Sequence, residues 1–111
     1  MIENVSLSEL IEQHIGAARA ASSGRSAHTV FGGHARTLRQ TLIALTEGSR
    51  LDEHENPGEA TLQVLVGQVQ MATASETRDA AAGELLVIPD ERHSLEALAD
   101  SAVLLTVAKL A

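Results

Sequence analysis

The chain has 111 residues, 44% hydrophobic and 21% charged, the size and balance of one globular domain rather than of a disordered tail. Fifteen acidic against eight basic residues give a formal charge of −7, which opposes binding to nucleic acid, a polyanion gripped through Lys and Arg. Cysteine is absent, excluding disulfides and thiolate chemistry, and apolar runs such as residues 102–105 fall far short of the ~20 residues that span a bilayer. The start, Met1-Ile2-Glu3-Asn4, lacks the basic-then-apolar pattern of a secretory signal, so a cytoplasmic protein with no membrane or nucleic-acid partner is expected.

In chain order, the first predicted element is a helix. Ser6-Leu7-Ser8-Glu9 fits a capping box, in which the serine hydroxyl and the glutamate carboxylate each satisfy a backbone N–H of the other, and Val5 and Leu10 fit a hydrophobic staple. Leu7, Leu10, Ile11, Ile15 and Ala18 recur at helical spacing, with His14 on the same side, while Ser8, Glu9, Glu12, Gln13 and Arg19 face away. The spacing predicts about four turns, ending before Ser22-Ser23-Gly24. This helix has two readings, structural as a lid packed on the main body, or functional as a dimer contact or pocket cover. Residues 1–24 form the helix and its linker, and 25–111 the main domain.

Beyond that point the pattern shortens. Strands are predicted at residues 28–31, 38–45, 62–66, 69–73, 85–88, 93–98 and 102–108, separated by turn signals such as Gly32-Gly33, Glu47-Gly48-Ser49, Asn56-Pro57-Gly58 and Ala82-Gly83-Glu84. Short strands without intervening helices indicate a mainly β sandwich or barrel. With one aromatic among Phe, Tyr and Trp, namely Phe31, the core must be aliphatic and base stacking is almost unavailable.

Two stretches carry a resemblance. Gly48, five residues, His54-x-Asn56, three residues, Ala60, six residues and Gly67 resemble the first motif of the cupin superfamily, in which glycine, a His-x-His pair, glutamate and glycine stand at those intervals. Gly83, five residues, Pro89 and then His93 resemble its second motif. The resemblance implies a single small β-barrel (a jelly roll, or double-stranded β-helix) preceded by the N-terminal helix. It also implies a homodimer and, in relatives that bind metal, a site built of three histidines and a glutamate.

This chain departs from that ligand set. Asn56 stands in place of the second histidine and Ala60 in place of the glutamate, with Glu59 one step away. Glu91 replaces a usual glycine and His93 arrives one residue early. His54 and His93 are the expected metal positions for Fe, Ni, Mn or Zn, and His54, Asn56, Glu59 and His93 the expected ligand-binding residues. Strand alternation tends to turn Glu59 away from the interior, and catalytic divalent sites use about three protein ligands, so two histidines leave the set incomplete. His34, after the Gly-Gly turn, could lean into the barrel mouth as a further imidazole. His14 and His28 read as structural, and Arg36, Arg39 and Arg50 as surface partners of the many acids. No phosphate loop and no Gly-x-Ser-x-Gly elbow is present, and no catalytic residue is assigned. The expected function is a small-molecule-binding or regulatory module rather than an enzyme. The alternative is a metal-dependent dioxygenase or isomerase acting on a small organic acid.

Overall fold

A computed structural model describes residues 1–54 and 58–109, the side chains of Glu53 and His54 apart. In order it contains α1 (Leu7–Ala20), β1 (Arg25–Phe31), β2 (Leu38–Leu45), β3 (Arg50–His54), β4 (Gly58–Val66), β5 (Gln68–Ala72), β6 (Thr77–Ala81), β7 (Leu85–Val87), β8 (His93–Ala97) and β9 (Ser101–Lys109). Five strands form one antiparallel sheet in the order β1-β2-β9-β4-β7, and four form a second in the order β3-β8-β5-β6. The non-consecutive neighbours make this a jelly roll.

The core lies between the sheets. Ile43 and Leu45 of β2, Ala60, Leu62 and Val64 of β4, and Val103 and Val107 of β9 face Val69 and Met71 of β5, Ala80 of β6 and Leu95 and Ala97 of β8. Burial alternates along β4, as expected of strands with one face inward. The hydrophobic cluster between the sheets is aliphatic apart from Met71, and Phe31 is exposed at the end of β1 with the Arg36 guanidinium 5.1 Å from its ring centroid.

Strand β2 is an exception to alternation, being buried on both faces from Leu42 to Leu45. Leu42 and Ala44, together with Ala102 opposite Ala44 on β9, stand outside the inter-sheet core, on the face covered by α1. The helix starts at Ser6, whose Oγ accepts the Glu9 N–H at 3.2 Å. It packs on β1, β2 and β9 of its own chain through half-buried Leu7, Leu10, Ile11, His14 and Ile15 and fully buried Ala18. Arg19 near its C-terminus binds Asp100 at 2.8 Å, and Asp100 also accepts the Glu47 N–H at 2.9 Å. That backbone hydrogen bond, followed by the Arg19 guanidinium, holds the Asp100 carboxyl below the usual carboxylate range.

The glycines that bound the first motif both take the left-handed backbone that disfavours a side chain. Gly48 and Gly67 have φ of +84° and +85°, and a Cβ on Gly67 would collide with Ser101 Oγ and the Asp100 carbonyl. That space is used by the buried Ser101 hydroxyl, which accepts the Gln68 N–H at 3.0 Å and lies 2.7 Å from the Ala99 carbonyl. Among the described residues no helix is long and apolar enough to cross a membrane.

Candidate functional site

Two neighbouring features make up the candidate site, a buried histidine on β8 and an open cleft between the sheet edges. His93 is 3% exposed, and its Nδ1–H donates to the Glu91 carbonyl at 3.0 Å. This contact fixes the tautomer with the lone pair on Nε2, an orientation often seen when imidazoles ligate metals. In the ladder His54 of β3 pairs with His93, across a register shift that follows Leu51. The two motifs therefore converge at the backbone level, although His54 and His93 stand 39 positions apart in the chain.

The other expected ligands divide. Ala60 is buried beside the interior row of β4, whereas Glu59 is exposed and paired with Ala108, so alternation places it on the opposite face. Glu59 thus does not take the place of the missing glutamate. Asn56 lies outside the described residues. His34 is exposed in the turn between β1 and β2, a loop held by the Lys109 backbone N–H donating to the Thr37 carbonyl, so it does not supply the further imidazole that the sequence allowed. Among the described residues no three His, Asp or Glu side chains gather as a metal set.

The cleft lies where β6 ends one sheet and β7 ends the other. It has a volume of about 310 Å³ and is lined by Met71 and Thr73 from β5 and its end, Glu76 and Arg78 around β6, and Leu85, Leu86, Val87 and Pro89 along β7. Its Met71 wall belongs to the core and pairs with Leu95, two residues from His93. One step beyond the Ala72–Ser94 pair come Thr73 and His93, so the cleft and the histidine occupy the same end of the β5–β8 ladder. The Arg78 guanidinium is 3.8 Å from the Glu76 carboxylate, and both side chains are exposed. A contact that long in solvent contributes little and leaves the guanidinium able to exchange partners.

Sequence reading missed Thr73, Glu76 and Arg78 as site residues, and β6 as a strand. Thr77-Arg78-Asp79-Ala80-Ala81 has one buried position, Ala80, and no alternating apolar signal. Of the arginines singled out from sequence, Arg36 lies on Phe31, and neither Arg39 nor Arg50 lines the cleft.

No protein-family model matches the sequence, and no curated protein does. Solved structures do match. A conserved protein of unknown function from Streptococcus pyogenes is similar at 26% identity and a TM-score of 0.73, over 82% of this chain and 79% of that one. A cupin superfamily protein from Desulfitobacterium hafniense matches with a TM-score of 0.79 at 15% identity, over 99% and 94% of the two chains. An RmlC-like cupin from Desulfovibrio desulfuricans matches with a TM-score of 0.67 at 21% identity, over 97% and 92%.

Proposed function

We propose that this chain, which shares the fold of solved cupin structures, is a small-molecule-binding module that takes a short organic acid in the cleft between β6 and β7. The cleft carries the reading. Its volume of about 310 Å³ is that of a small-ligand pocket, and its make-up, an apolar wall with a few polar groups, is what such pockets share. Met71, Leu85, Leu86, Val87 and Pro89 would hold an aliphatic chain, and Arg78 would meet a carboxylate with two parallel N–H donors. No aromatic residue lines the cleft, so a sugar or a flat ring would lack a stacking partner.

Calorimetric titration with a panel of short aliphatic mono- and dicarboxylates tests this reading. At least one acid should bind saturably, and Arg78→Gln should weaken it by about tenfold, the size of one lost charge-assisted hydrogen bond. If no acid binds, or if Arg78→Gln leaves affinity unchanged, the proposal fails.

A second reading, a metal-dependent enzyme, has one observation in its favour, the orientation of His93 by Glu91 opposite the His54 position. The described donors do not fit it: Ala60 offers no ligand atom and Glu59 faces outward. Elemental analysis of protein purified without chelator should therefore find less than one equivalent of iron, nickel or manganese. A full equivalent that disappears in His93→Ala would favour the enzyme. A homodimer belongs to the same proposal, since β1 has a strand neighbour on one side only and offers its other edge to a second copy.

A further inference from the structure

Away from the cleft, at the seam between α1 and β1, the fold joins two histidines that sequence spacing leaves unrelated. His14 is half-buried on the inner side of α1, and His28 is exposed on β1. Ser26 and His28 pair with Ala44 and Leu42, the β2 residues under the helix, so both lie on the helix-covered face of the sheet. The imidazole rings are 5.3 Å apart between centroids and tilted by 44°. His14 Nδ1 lies 2.7 Å from Ser26 Oγ.

We propose that His14 and His28 form a two-imidazole site for a borderline divalent cation such as Zn²⁺, which would clip α1 to the sheet. Three features support it. Two imidazoles bound to one tetrahedral ion at about 2.1 Å place their ring centroids about 5 Å apart, the separation found here. When Ser26 Oγ accepts the His14 Nδ1–H, the lone pair resides on Nε2, and ligating histidines characteristically donate their other N–H in this way. Imidazole nitrogen suits Zn²⁺, Cu²⁺ and Ni²⁺ rather than Mg²⁺ or Ca²⁺. With two protein ligands the remaining positions belong to water, so the site is an accessible one. The ion would bridge separate elements: α1 is otherwise held by half-buried aliphatic contacts, Ala18 and the Arg19–Asp100 pair. Binding to the docked helix would therefore raise the thermal stability of the whole chain.

Titration of the full chain with ZnCl₂ in a non-coordinating buffer, followed by calorimetry and by thermal melts in circular dichroism, tests the site. One equivalent of Zn²⁺ should bind and raise the melting midpoint. His28→Gln should weaken binding by roughly tenfold or more and abolish the midpoint shift, while His34→Gln, at an exposed position in the β1–β2 turn, should keep both. In the unaltered chain the imidazole proton resonances of His14 and His28 should be the ones that move on zinc addition, a readout that needs no variant to fold. Absence of saturable uptake, binding that survives His28→Gln, or binding that falls with His34→Gln would overturn the proposal. None of these outcomes depends on the organic-acid cleft.

Discussion

The five-stranded sheet ends in two different ways. At the β1–β2 end its outer face is covered by α1, and Leu42 is 0% exposed although it points away from the inter-sheet core. At the β7 end nothing in the described chain covers the strand, and Leu85 and Val87 are 57% and 75% exposed beside the cleft. The chain keeps these two apolar side chains in water where the sheets part, while a whole helix covers the outer face at the other end. Clustered exposed apolar side chains next to a concavity mark a surface meant for contact, whereas the same residues under a helix contribute to stability.

Truncations at the two ends separate these roles. Leu42→Ala should cost about 2–5 kcal/mol, the range for deleting a buried leucine side chain whose site cannot fully collapse. Val87→Ala should stay within about 0.5 kcal/mol, as for an ordinary surface change. Urea unfolding followed by circular dichroism measures both, since the chain has no Trp or Tyr to report by fluorescence. Comparable losses at the two positions would break the contrast and show that β7 is packed rather than open.

The smallest expected effect sharpens the helix-covered end. Because the folded-state pKa of Asp100 is lowered, its contribution to stability is complete above the pKa of the unfolded carboxylate and is lost as pH falls through the folded one. The thermal midpoint should therefore decline over the acidic carboxylate range. In Asp100→Asn that decline should be shallower, because the variant carries no titrating group between Arg19 and the Glu47 N–H.

Much of this frame was legible from local pattern. The Ser6 cap and the face bearing Leu10, Ile11, His14, Ile15 and Ala18 follow from hydrogen-bond chemistry and a 3.6-residue period within one short segment, and β2 occupies the predicted residues 38–45. Strands β3 and β6 were not legible. Arg50-Leu51-Asp52-Glu53-His54 and Thr77-Arg78-Asp79-Ala80-Ala81 are extended because β8 and β5 supply ladder partners, and strand preference depends on such neighbours more than on composition. Missing β6 meant missing Arg78, and with it the polar side of the cleft. Gly67 is the intermediate case: its place at a turn was readable, but the reason only glycine fits is Ser101, 34 residues away in the chain.

Local residue order sets the capped amphipathic helix, the aliphatic core and the spacing of the two glycine-marked hairpins, since each rests on residues near one another along the chain. Long-range packing settles that α1 covers its own sheet, that the cleft opens between β6 and β7, that Glu59 faces outward, and that His14 meets His28. Those outcomes depend on which strands become neighbours across long loops, and the free energy that selects them comes from the summed burial of the two sheets rather than from any local preference.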